Sequence, residues 1–150
     1  MSDLYTPTDD AISAWNTLLS GTGVTLARVT SACGTSGDCV NVVEGSVSGG
    51  CAETTPGTTN SAGTFTSEST VTLLSSWRTR TADRNRRTMA HELGHLLGLD
   101  HNACGTADSV MSIAPDCSTT SGLALTPTTT DKLPTTSSTY GNNAQKTCRY

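Results

Sequence analysis

The chain has 150 residues, a net charge of −4 and a pI near 5.1, which argues against the basic surface that nucleic-acid-binding domains use. Its length fits one domain over residues 1–150, and no apolar run approaches the roughly 18 residues that span a membrane. Because only 34% of the residues are hydrophobic and 4% are aromatic, the core is thin, and we expect cross-links or a metal to support it.

The first predicted element is an amphipathic helix over Pro7–Leu19, where apolar residues recur at helical spacing and Thr6 or Thr8 can cap the start. Gly21 then ends the helix. The alternation of apolar and polar residues over Val24–Val29 predicts a strand.

Three further strands are predicted in the first half of the chain. Val40–Val43 and Val71–Leu74 are short β-branched or apolar runs, and Gly49–Thr54 is a candidate edge strand. Between the last two strands, Thr54–Thr70 is rich in Thr, Ser and Gly, which predicts a long surface loop.

A second helix is predicted from a cap at Thr81 or Asp83 through Leu97, with its apolar residues on one face. The basic cluster around its start is interpreted as a solvated helix face. This cluster consists of Arg78, Arg80, Arg84, Arg86 and Arg87. A short final helix is expected over Leu125–Asp131, with Pro127 in its first position.

Six cysteines in so short a chain indicate disulfides and an oxidising compartment, so we expect a secreted, extracellular protein. Proximity favours Cys33–Cys39 and Cys104–Cys117, which leaves Cys51–Cys148, although other pairings remain open. Reduced thiols or a cysteine zinc site are the alternatives, but no CxxC pair occurs. The first residues do not resemble a signal peptide, so the signal of a secreted form would have been removed.

The chemistry is concentrated in the segment 91–101, which contains all three histidines of the chain. His91 and His95 lie four residues apart, so a helix presents both imidazoles on one face, at a spacing that suits one zinc ion. Gly98 can take the left-handed conformation that ends a helix, which lets His101 return as a third ligand. Glu92 lies beside the ligands, where it can take a proton from a metal-activated water.

The arrangement His91-Glu92-x-x-His95-x-x-Gly98-x-x-His101 resembles the zinc signature of the metzincin metallopeptidases. Met111 matches the methionine of their Met-turn, and the resemblance implies that Ile113, Ala114 and Pro115 form a wall of the substrate pocket. Within the class, segment 91–101 and the first helix look most like the matrixins. Because no fourth histidine exists, the second zinc site of typical matrixins cannot form with histidine ligands.

The resemblance implies an α+β metzincin-like catalytic domain with a small mixed sheet, an N-terminal helix and an active-site helix followed by a Met-turn. We expect a monomeric zinc endopeptidase with one catalytic zinc, which cleaves a protein or peptide that pairs with the edge near 50–54. Calcium is a further candidate ion, but no motif supports it. A catalytically silent binding module and a hydrolase of non-peptide amides are the alternative functions.

Overall fold

The fold is described from a computed structural model over residues 4–33, 39–61, 65–101, 108–112 and 123–131. Within these residues the domain is α+β, with two α-helices and one three-stranded sheet. In chain order the elements are α1 (Tyr5–Leu18), β1 (Val40–Glu44), β2 (Ala52–Thr55), β3 (Ser69–Leu73), a 3-10 helix (Ser75–Thr79) and α2 (Ala82–Leu96). The predicted α+β class with a small mixed sheet is therefore confirmed.

The mixed sheet has the strand order β1-β3-β2, which places β3 in the centre. β1 pairs with β3 in parallel, and β2 pairs with β3 antiparallel. Side chains of β3 alternate between buried and half-buried, as expected for a central strand with one face on the core. β2 forms an edge, as predicted for the segment 49–54.

The segment Val24–Val29 was expected to be a strand, and this prediction is wrong. The segment pairs with no strand among the described residues, and Val24 and Val29 are exposed. The backbone of Leu26 bonds instead to the Asn16 side chain, whose Oδ1 accepts from the Leu26 N–H at 2.8 Å and whose Nδ2 donates to the Leu26 carbonyl at 2.9 Å. A side chain of α1 thus satisfies the groups that a neighbouring strand would otherwise pair.

The helix α1 was predicted within two residues of its observed bounds, but not its cap. It begins at Tyr5 after Leu4, and neither predicted threonine caps it. The indole of Trp15 is fully buried, and its Nε1 donates to the carbonyl of Ala90 at 2.8 Å. This bond fixes α1 against α2 at the turn that precedes the first histidine.

The core joins α1, α2, the central strand and the segment that follows the histidines. Its fully buried large side chains include Trp15, Trp77, Leu73, Met89 and Met111. The core therefore lies directly beneath the segment that carries the candidate chemistry. None of the described helices is long and apolar enough to cross a membrane.

The predicted helix over Leu125–Asp131 is also wrong. The segment forms bends and a turn, in which the Asp131 N–H donates to the Thr128 carbonyl at 2.9 Å. The Asp131 carboxylate accepts from the Thr128 N–H at 2.9 Å, so a side chain competes for the backbone donor at the start of the expected helix.

Two other expectations concern the cysteines and arginines. Cys33–Cys39 is a disulfide, as predicted, and Cys51 is disulfide-bonded to a cysteine outside the described residues. The pairing Cys104–Cys117 and the assignment of Cys148 to Cys51 lie outside the described residues and stay predictions.

The arginine cluster is not wholly a solvated face, because Arg87 is only 6% exposed.

Candidate active site

The helix α2 positions the first two histidines. Its start is capped by Thr81, as predicted, whose hydroxyl accepts from the Arg84 N–H at 3.4 Å. His91 and His95 lie one turn apart on the same face, and their Nε2 atoms are 3.1 Å apart.

The end of α2 brings the third histidine to this face. Gly98 has a φ of 84°, the left-handed conformation predicted for it. The Gly98 N–H donates to the His95 carbonyl and the Leu99 N–H to the Gly94 carbonyl, both at 3.0 Å, which is a Schellman motif. The chain therefore reverses, and His101 Nε2 lies 3.0 Å from that of His91 and 3.1 Å from that of His95.

The ring nitrogens of this triad suit a metal ion. His91 Nδ1 lies 2.8 Å from the Val110 carbonyl and His95 Nδ1 lies 2.8 Å from the Leu99 carbonyl. A carbonyl only accepts, so each Nδ1 carries the proton and each Nε2 presents a lone pair. Two lone pairs facing each other at 3.1 Å repel unless a positive species lies between them.

The spacing of the three Nε2 atoms agrees with this interpretation. Two nitrogens bound tetrahedrally to one zinc at about 2.0–2.1 Å lie roughly 3.3 Å apart. The measured separations of 3.0–3.1 Å are close to that value. Together the three histidines could hold a metal ion.

Burial keeps two members of the triad, His91 and His101, in the neutral form that binds metals. Burial lowers the pKa of His91 from 6.5 to about 3, and the neighbouring His95 lowers it further. Burial also lowers the pKa of His101. Both imidazoles are therefore ready to donate a lone pair at neutral pH.

Glu92 lies next to the triad, and its side chain is 5% exposed. Burial raises the pKa of its carboxyl, whereas a hydrogen bond from Thr54 and the nearby His95 oppose that rise. The Thr54 hydroxyl donates to Glu92 Oε2 at 2.6 Å. A buried carboxyl whose pKa is raised above its ordinary value, beside a triad that could hold a metal ion, is a candidate for proton transfer.

Met111 lies beneath α2, where the resemblance placed a Met-turn. It is 1% exposed, and a Cβ added at Gly94 would lie 2.3 Å from its sulfur. Only a glycine between the two α2 histidines lets the methionine approach the helix this closely. Its structural position agrees with the prediction, while its role as a Met-turn stays a prediction.

A buried network holds this methionine segment, and the sequence interpretation missed it. The Asp131 carboxylate accepts from Ser109 Oγ, from the Val110 N–H at 3.1 Å and from the Met111 N–H at 3.4 Å. The Arg87 guanidinium donates to the Val110 and Ser112 carbonyls. The Val110 carbonyl also contacts His91, so Arg87 and His91 share one acceptor.

Arg87 lies one turn before His91, and this spacing was the available signal that its side chain faces the same surroundings as the ligand. The predicted pocket residues Ile113, Ala114 and Pro115 lie outside the described residues. Their role as a pocket wall stays a prediction.

The fold and the triad together define an α+β domain built around three histidines that could hold a metal ion. In a comparison with protein families, the Metallo-peptidase family M12B Reprolysin-like matches residues 11–102, which is well over half of the chain. The chain therefore belongs to the reprolysin-like metallopeptidases. No curated protein and no solved structure matched it.

The family match supports the metzincin-like prediction and covers all three histidines and Glu92. It gives no support to the finer resemblance to matrixins. Membership of a peptidase family implies a protein or peptide substrate, and the match ends before Met111.

Proposed function

We propose that the protein is a secreted, monomeric zinc endopeptidase in which His91, His95 and His101 hold the metal and Glu92 is the general base. The observation that carries the proposal is the set of three converging Nε2 atoms, 3.0–3.1 Å apart, beside a buried glutamate. Three protein ligands leave a further position open, as catalytic zinc sites do. When bound, the zinc supplies Lewis-acid activation of a water and polarisation of the scissile carbonyl.

The chain's own groups perform the proton transfers in this mechanism. Glu92 accepts a proton from the attacking water and later delivers it to the leaving amine nitrogen. Its Oε2 accepts the Thr54 hydroxyl, and Oε1 accepts no bond from the described residues, so Oε1 is the atom available to the water. The Val110 and Leu99 carbonyls hold the protons of His91 and His95 on Nδ1, which keeps each Nε2 free to bind the metal.

The substrate would bind along β2. This strand is an edge of the described sheet, and its free backbone groups can pair with an extended peptide. The proposed pocket beyond the scissile bond includes Ile113, Ala114 and Pro115, with an apolar substrate residue preferred. The disulfide Cys33–Cys39 and the disulfide-bonded Cys51 support an oxidising, extracellular location.

Glu92→Ala tests the catalytic role. We expect the variant to bind about one zinc per chain and to lose at least ~100-fold in cleavage rate, in line with the contribution of general acid–base catalysis. Glu68→Gln is the matched control, because Glu68 is exposed and bonds to Asn41 instead of the site. Undiminished cleavage by Glu92→Ala would refute the mechanism.

A further inference from the structure

We propose that Thr54 is a positioning residue that orients the Glu92 carboxylate and links it to the edge strand β2. This inference rests on the proposed role of Glu92. It adds a residue that lies 38 positions away in the sequence and carries no catalytic motif.

The hydrogen bond is directed at the carboxylate. Thr54 Oγ1 lies 2.6 Å from Glu92 Oε2 and 3.3 Å from the Glu92 carbonyl oxygen. A hydroxyl has one proton, and the shorter contact to the charged acceptor takes it. The bond therefore fixes Oε2, and it sets the direction in which Oε1 points.

Both partners are held by their own elements. Glu92 is in the C-terminal half of α2, and Thr54 pairs with Val71 in the central strand β3. Val71 is fully buried, so the strand that pairs with Thr54 is anchored in the core. A buried glutamate with three rotatable side-chain bonds gains a defined orientation from such a partner.

The alternation of β2 makes Thr54 the residue that faces α2. Its neighbour Glu53 points to the other face, where its carboxylate accepts from the Ser48 N–H at 2.9 Å and from Ser48 Oγ at 3.1 Å. A peptide that pairs with β2 would bond to the backbone that carries Thr54. Substrate binding and the orientation of the general base are thus linked through one residue.

The first test compares Thr54→Val, Thr54→Ser and Thr72→Val in zinc-loaded protein on a quenched peptide. Valine keeps the shape of threonine and removes the hydroxyl. We expect Thr54→Val to lower kcat by ~10–100-fold, the fold-change for losing a hydrogen bond to a charged group, with KM within ~3-fold. Thr54→Ser should recover kcat to within ~5-fold of wild type.

Thr72→Val is the matched control. Thr72 is half-buried like Thr54, lies in β3 directly opposite Glu53, and its hydroxyl bonds to no described residue. The Thr72→Val variant should keep kcat and KM within ~2-fold of wild type. A Thr54→Val enzyme with normal kcat, or one changed only in KM, would overturn the positioning role while the loss of activity in Glu92→Ala still stands.

The second test does not depend on activity. Thermal unfolding of the metal-free protein is measured for Thr54→Val, Glu92→Ala and the double variant, as a double-mutant cycle. We expect Thr54→Val to lower Tm by ~3–8 °C when Glu92 is present and by less than about half as much when it is alanine, since the hydroxyl can then donate only to the backbone carbonyl at position 92. If Thr54→Val lowers Tm equally with glutamate and with alanine at position 92, the Thr54 hydroxyl does not stabilise the Glu92 carboxylate.

The two tests separate the two proposals. Coupled Tm shifts with no cleavage by any form would support the positioning contact and refute the endopeptidase proposal. Cleavage that requires Glu92, combined with additive Tm shifts and a normal kcat in Thr54→Val, would refute only the inference.

Discussion

Replacement of Arg87 by methionine probes the buried network behind the metal site. Methionine fills a similar volume but removes the guanidinium that donates to the Val110 and Ser112 carbonyls and faces Asp131. A hydrogen bond with a charged partner contributes ~1.5–3 kcal/mol to stability. Losing two such bonds therefore lowers the free energy of unfolding by at most ~6 kcal/mol. Relief of the guanidinium's burial, which lowers the pKa of Arg87, offsets part of this loss. We therefore expect a net destabilisation of ~3 kcal/mol.

For a domain of 150 residues this corresponds to a fall in Tm of ~6–12 °C. The Val110 carbonyl that Arg87 holds also orients His91, so we expect zinc affinity to fall by ~10-fold, as for other residues that support a ligand. Calorimetry and competition with a chromophoric chelator measure the two effects. Arg84→Met is the matched control, because Arg84 is half-buried on the same helix and forms no ion pair with the described residues. If Arg87→Met has a Tm within ~2 °C of wild type and an unchanged zinc affinity, Arg87 neither stabilises the fold nor supports His91.

Three further predictions concern packing, pH and metal. In Gly94→Val the added Cβ would lie 2.3 Å from the Met111 sulfur and 3.1 Å from Trp15. We expect this overpacking to lower the free energy of unfolding by ~2–3 kcal/mol. A calorimetric Tm equal to that of wild type would contradict this. In the metal-free protein, His91 is neutral when folded and has a pKa of about 3 against 6.5 when unfolded, so protonation favours the unfolded state. The free energy of unfolding should fall by up to ~5 kcal/mol as pH drops from about 6.5 to about 3. This fall should be smaller in His91→Asn. Denaturant titrations that show the same fall in both proteins would contradict the role of His91. Finally, because metal binding couples to folding and the core is thin, a chelator should lower Tm by at least ~5 °C in a scanning assay, and an unchanged Tm would exclude this role of the metal.

Much of the site could be predicted because its signal is local. Two of the three candidate ligands and the proposed general base lie within one helix, and the glycine that ends this helix determines how the third histidine returns. The spacing of His91 and His95 and the conformation of Gly98 are properties of a single turn, and the structure has both as predicted.

The contacts that hold the site could not be predicted in the same way. Thr54, Arg87 and Asp131 reach their partners across 20 to 38 residues of sequence. The helical spacing of Arg87 and His91 indicates a shared face but not the carbonyls that Arg87 binds. The segment 24–29 alternates like a strand, but its backbone is bound by the side chain of Asn16. In the same way, the Asp131 carboxylate binds the Thr128 N–H, and the expected final helix does not form.

The proposed zinc endopeptidase activity is tested most directly by measuring zinc content together with cleavage of a quenched peptide library, with and without o-phenanthroline. A zinc endopeptidase should contain about one zinc per chain, and its cleavage should be abolished by the chelator and restored by added zinc. Cleavage that persists after the metal has been removed, or a zinc-loaded protein that cleaves no member of the library, would contradict the proposed activity.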